Sequence, residues 1–175
     1  LIVDTHGHIY HPDESKYPMK ENPRRPPPGI GDIEHLKANL RDAGVDRVVL
    51  VQTGSAYRWD NRLLADTASA NRDKMVGVCT LDAASPDSPG IYRNLATRNV
   101  RGLRLEPTQH GDAKYYHEGA TRLFETVREL NGVVCAHIHV GFLDALARLA
   151  SEFSEVPIVL DHSAYLNASD LPGSS

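Results

Sequence analysis

The chain holds 175 residues, 41% of them hydrophobic and 24% charged, with a formal net charge of −4. That balance is globular, and its sign argues against nucleic acid or an anionic membrane as the main partner, because both select for clustered positive charge. No apolar run approaches the ~20 residues that span a bilayer, and two cysteines set far apart, Cys79 and Cys135, indicate neither a disulfide scaffold nor a zinc ribbon.

Taken in chain order, short runs rich in Val, Ile and Leu fall at Leu1–Asp4, Arg47–Gln52, Met75–Thr80, Val100–Leu105, Val133–Ile138 and Pro157–Asp161. They show little polar alternation, as strands buried on both faces of a parallel sheet do. Helical spacing separates them. Ile33, Leu36, Leu40 and Ala43 follow Asp32 as N-cap and stop at Gly44; Leu63, Leu64, Thr67 and Ala68 open near Asp60; a third helix runs about Pro89–Thr97. Leu123, Phe124, Val127 and Leu130 form a stripe ended by Asn131-Gly132, and Leu143, Leu146, Leu149 and Phe153 form another. This βα alternation predicts an α/β fold with right-handed crossovers, either an open doubly wound sheet or a barrel. No glycine-rich phosphate loop follows the first strand, which weakens the dinucleotide-binding version.

Residues 5–31 hold six of the eleven prolines and no regular pattern. A connection this long leaving the carboxyl end of a strand reads as a wall or lid of a site. With no second-domain boundary, residues 1–175 are expected to form a single domain. The opening LIVDTHGH lacks the basic start, apolar stretch and cleavage site of a secretory leader, so the expected location is cytoplasmic. Asn167-Ala168-Ser169 matches a glycosylation acceptor and is read as a chance match.

Histidine is the residue type that stands out, with nine copies. In Asp4-Thr5-His6-Gly7-His8, residues two apart project to one side of an extended chain, so His6 and His8 can reach one cation. His137-Ile138-His139 repeats the spacing at the end of the fifth strand run, and Asp161-His162 ends the sixth. Three strands thus place histidine at one edge of one sheet. Spacing does not separate His137 from His139; His137, closer to the strand body, is the chosen ligand, and His139 is left to support a ligand or contact substrate. On the fourth run, Arg104 and Glu106 share a face opposite Leu103 and Leu105. Arg104 suits bidentate capture of a substrate carboxylate, and Glu106 suits a ligand, a base or the partner of Arg104. Gln52 either hydrogen-bonds substrate or caps the barrel layer. Tyr57, Trp59, Tyr115 and Tyr116 fall on the same side as pocket walls or loop anchors. His11, His35, His110 and His117 are expected to be solvated. No GxSxG or paired Cys-His signature points to a nucleophile.

DTHGHIYHP, AGVDRVVLVQTGSAYRWDNRLL, VRGLRLEP, VVCAHIHV and VPIVLDHSA follow in order. Together they resemble the amidohydrolase-related family, the branch of the amidohydrolase superfamily with lactonases and metal-dependent decarboxylases, and look most like its dicarboxylate and sugar lactonases. The resemblance implies a (β/α)8 TIM barrel with its site at the carboxyl ends of the strands. It implies a divalent metal, zinc or manganese, on His6, His8 and His137, a catalytic His162 near the reacting centre, and Arg104 toward a substrate carboxylate. Metal-free lactonases also occur in this branch. The function implied is a hydrolase opening a lactone of a small carboxylated or sugar-acid substrate, with non-oxidative decarboxylation as the alternative and a non-catalytic fragment or partner subunit as a third reading. The family's strand-8 aspartate has no counterpart, and six strands fall short of the ~250 residues such a barrel needs. The expectation is therefore the first six β/α units, lacking strands 7 and 8, with a small anionic ligand as partner and a homo-oligomer left open.

Overall fold

The computed structural model describes residues 1–108 and 114–167, so His110 and the last two residues of the acceptor triplet lie outside the described residues. Six parallel strands, β1 (Val3–Gly7), β2 (Arg47–Val51), β3 (Met75–Thr80), β4 (Val100–Leu105), β5 (Val133–Ala136) and β6 (Ile158–Leu160), pair in chain order into one curved sheet. Six helices alternate with them: α1 (Ile33–Asp42), α2 (Gly54–Tyr57), α3 (Arg62–Ala70), α4 (Ser88–Thr97), α5 (Glu118–Glu129) and α6 (Leu143–Glu152). The result is the six-strand part of a TIM barrel.

Strand alternation divides the side chains between two environments. Val48, Leu50, Met75, Cys79, Leu103, Leu105, Val134 and Ala136 are buried under the helices. The opposite register, Val49, Val51, Val76, Val78 and Cys135, lines a cavity of about 570 Å³ on the concave face. The edge strands carry exposed apolar groups, Val3 at one margin and Val159 and Leu160 at the other. Among the described residues no helix is long and apolar enough to cross a membrane.

The local signals act as expected at most helix ends. The Asp32 carboxylate accepts from the His35 amide at 2.8 Å, and Gly44 at φ +66° follows the end of α1. Two histidines expected to be solvated do structural work instead. His117 Nδ1 accepts from the Ala120 amide at 3.4 Å and caps α5, and His35 Nδ1 accepts from the Gly31 amide at 3.1 Å. The start of α5 also needs Gly119, where an added Cβ would collide with the Ala83 carbonyl oxygen. Because that obstacle is backbone, Gly119→Ala is expected to cost about 1–3 kcal/mol, read as a lower denaturation midpoint at unchanged m-value.

Differences from the sequence reading concentrate at the carboxyl edge. β1 begins two residues and ends three residues later than the apolar run, which places His6 inside the strand, and the short helix α2 is an addition to the expected elements. The proline-rich connection is ordered against α2 by Lys20 N to Ala56 O at 2.7 Å and Arg24 N to Ser55 O at 3.2 Å. The Tyr17 hydroxyl ties it to the Asp66 carboxylate on α3 at 2.5 Å. It thus packs on α2 and α3, and of its residues only Thr5 and His6 line the concave cavity.

Candidate active site

β1 ends in an irregular step: its register with β2 shifts between Asp4 and Gly7, and a Cβ on Gly7 would lie 2.9 Å from Val48 Cγ2. This close approach lets His6 and His8 turn toward one another, with Nε2 atoms 3.2 Å apart. His8 Nδ1 lies 2.8 Å from the Val51 carbonyl oxygen, so it carries the proton and leaves Nε2 as a lone pair. Two imidazole nitrogens on one tetrahedral zinc stand about 3.3 Å apart, so the pair fits such an ion. Both imidazoles titrate below the ordinary histidine range. Lost hydration is the main cause in each, opposed by Asp161 at His6 and by the Val51 carbonyl at His8. Neutral rings are the ligand form.

Opposite them, at the end of β6, Asp161 is 5% exposed and Arg104 is 6% exposed. Arg104 donates to Asp161 Oδ2 from Nε at 2.7 Å and approaches it with a terminal nitrogen at 2.6 Å. Burial alone would raise the Asp161 pKa, but the hydrogen bond and positive charge of Arg104 outweigh it and hold the carboxyl below its usual range. The other oxygen, Oδ1, faces His6 Nδ1 at 3.4 Å and His162 Nε2 at 3.5 Å. One ligand atom from each of His6, Asp161 and His162 lies within 4.8 Å of the others, the set of three able to hold a cation among the described residues; His8 and His137 are not part of it.

His137 closes the cluster. Its Nδ1 lies 2.9 Å from Glu106 Oε1 and its Nε2 2.7 Å from the Tyr165 hydroxyl. The hydrogen bond from His137 holds the Glu106 carboxyl below the usual range against the effect of burial. Ring centroids of His6 and His162 are 5.0 Å apart, and those of His137 and His162 5.8 Å apart. Tyr165 arrives through a turn in which His162, Ser163, Ala164 and Tyr165 all have φ between 49° and 54°.

Of the residues singled out from sequence, His6, His8, His137, His162, Arg104 and Glu106 therefore meet at one mouth. His139 does not join them. Its Nδ1 accepts from the Gly141 amide at 3.1 Å and its ring packs at a tilt of 57° against Phe142, with centroids 4.5 Å apart. Gln52 is buried and gives its amide nitrogen to the carbonyls of Arg58 and Asp60 at 3.1 and 2.8 Å. Asp161 and Tyr165 were not singled out. The Asp161-His162 pair was visible, but the partner of its carboxylate lies 57 residues away. Cys135 lines the cavity with a thiol pushed up to about 11, chiefly by burial, and is a poor nucleophile.

Imidazoles and one carboxylate thus roof an apolar cavity at the carboxyl ends of parallel strands, the arrangement of an amidohydrolase-type barrel. The chain belongs to the amidohydrolase family, whose model matches residues 3–173. No curated protein matches it by sequence. Among solved structures it is similar to a probable 2-pyrone-4,6-dicarboxylic acid hydrolase from Acinetobacter baumannii with citric acid bound. The TM-score is 0.78 at 19% identity, covering 97% of this chain and 62% of that one. It is also similar to 5-carboxyvanillate decarboxylase from Sphingomonas paucimobilis, with TM-score 0.64, 19% identity and coverage of 91% and 66%. A zinc-bound amidohydrolase from Burkholderia multivorans gives TM-score 0.69, 17% identity and coverage of 94% and 58%. The chain thus spans about three fifths of the length of the first of these relatives.

Proposed function

We propose that this chain carries the histidine site of a metal-assisted hydrolase that opens a lactone of a small carboxylated molecule. The observation that carries the reading is the facing Nε2 pair of His6 and His8, 3.2 Å apart above an apolar cavity. His6 and His8 would hold the ion, with His137 as third ligand once its Nε2 leaves the Tyr165 hydroxyl, and nitrogen donors of this kind suit zinc, with manganese a second choice. When bound, the ion supplies Lewis acidity toward an ester carbonyl.

The chain's own residues do the rest. Val51 fixes the His8 tautomer, and Glu106 orients His137 from its Nδ1 side. Arg104 binds one oxygen of Asp161 and so fixes the other, Oδ1, toward His6 and His162. His162, at the rim, moves a proton through Nε2 as water adds to the carbonyl carbon and the ring C–O bond breaks. Likeness to the pyrone-dicarboxylic acid hydrolase supports the lactone reading, and likeness to the carboxyvanillate decarboxylase supports a second, loss of carbon dioxide from an aromatic acid at the same site.

Metal content by plasma mass spectrometry, followed by assays with 2-pyrone-4,6-dicarboxylate and 5-carboxyvanillate, tests both. About one equivalent of zinc or manganese with pyrone ring opening is expected. Carbon dioxide release without ring opening transfers the site to the second reading. Ring opening by metal-free protein removes the metal and keeps the hydrolase. No metal and no turnover overturn both readings.

A further inference from the structure

The loop after β2 is built more rigidly than a surface turn requires. Three successive carbonyls, those of Arg58, Trp59 and Asp60, accept hydrogen bonds from two buried amide side chains. Gln52 Nε2 serves Arg58 and Asp60, and Asn61 Nδ2 serves Trp59 at 2.8 Å. Asn61 is itself pinned to β3, donating to the Thr80 carbonyl at 2.9 Å and accepting from the Thr80 amide at 3.1 Å. This framework holds Arg58 at φ 50°, a backbone state disfavoured for a side chain of that size and concentrated at ligand sites.

What the loop presents is an exposed cation lying on an exposed aromatic. The Arg58 guanidinium sits 4.2 Å from the centre of the Trp59 ring, and Trp59 is 41% exposed. Both border a small cavity of about 60 Å³ whose far wall includes Asp82 and Glu106. The two carboxylates have their own partners: Asp82 accepts from the Ala84 amide at 3.0 Å, and Glu106 is bound to His137. Arg58 makes no ion pair among the described residues. Arg104, by contrast, is buried and pairs with Asp161. Among the described residues Arg58 is thus an exposed guanidinium at this mouth without a direct ion pair; its charge helps to hold Glu106 ionised and so links it to the histidine cluster through Glu106 and His137.

We infer that Arg58 and Trp59 form a recognition lip for the outer carboxylate of a planar, dianionic substrate whose reacting end faces the histidines. The carboxylates of Asp82 and Glu106 keep an anion out of the small cavity itself, so the outer carboxylate would meet Arg58 from the solvent side, where the guanidinium fork matches it and Trp59 offers a flat face to a conjugated ring. The inference rests on the anionic-substrate part of the proposed function and not on metal or turnover.

Trp59 is the chain's single tryptophan, so its emission reports on the lip directly. The test is titration of the full chain with isophthalate, a flat dicarboxylate, and with benzoate, its single-carboxylate counterpart. Isophthalate is expected to change Trp59 emission saturably, with affinity at least about tenfold weaker in Arg58→Ala. Benzoate affinity should be the same in both proteins, and Arg58→Lys should recover part of the loss. Arg58→Gln, which keeps the aliphatic stem, replaces the alanine variant if thermal melting shows that alanine unfolds the loop. Unchanged isophthalate affinity in the variants, or no response of Trp59 to isophthalate, overturns the lip. Failure of lactone turnover leaves the titration standing, so the two readings fail separately.

Discussion

Conversion of both His6 and His8 to alanine is expected to abolish divalent metal binding and to lower kcat/KM by roughly 10³-fold or more, about 4 kcal/mol of transition-state stabilisation. The pair supplies two nitrogens on one strand end, held 3.2 Å apart by the β1 irregularity and by the Val51 carbonyl. Removing both leaves His137 and the Asp161–His162 side without the centre of the cluster. His139→Ala is the matched control. That ring caps its own turn, so its loss should leave metal content unchanged. Zinc competition with a chromophoric chelator checks both variants, and one equivalent of zinc retained in the double variant would refute the site.

The second large effect concerns stability. Asp161→Ala leaves the Arg104 guanidinium buried without its counter-ion, and breaking a buried pair from one side costs about 3–5 kcal/mol. In a chain of this size that is a fall in Tm of roughly 6–20 °C. The double variant Arg104→Met with Asp161→Leu should recover much of the loss, because no charge then remains buried. It should still impair catalysis, since Asp161 Oδ1 faces both His6 and His162. A double variant no more stable than Asp161→Ala would show that the cost came from cavity formation and not from the unpaired charge.

Much of the framework is legible locally. β3 and β4 match their apolar runs residue for residue, because central strands of a parallel sheet are buried on both faces and read as continuous hydrophobic stretches. β1 does not, since it runs on to Gly7, which pairs with Leu50 of β2, across the polar Thr5 and His6 that lie in the irregular step and carry no apolar signal. The short α2 escapes notice because its four residues hold no helical period. Two histidines expected to be solvated, His35 and His117, are capping or turn residues, roles that depend on which backbone amide lies beside the ring.

Sequence alone determined the α/β alternation, the six-strand extent and the edge at which histidines gather, since each is carried by period or by position at a strand end. It also supplied the two-residue spacing that lets His6 and His8 act together. Tertiary structure decided which histidine each neighbour serves: His137 turns to Glu106 and Tyr165, whereas His139 turns back onto its own loop. It also paired Arg104 with Asp161, and it laid the exposed Arg58 on Trp59. The reason is geometric. Pairings between residues 57 apart in the chain follow from the curvature and register of the sheet, which no local pattern encodes.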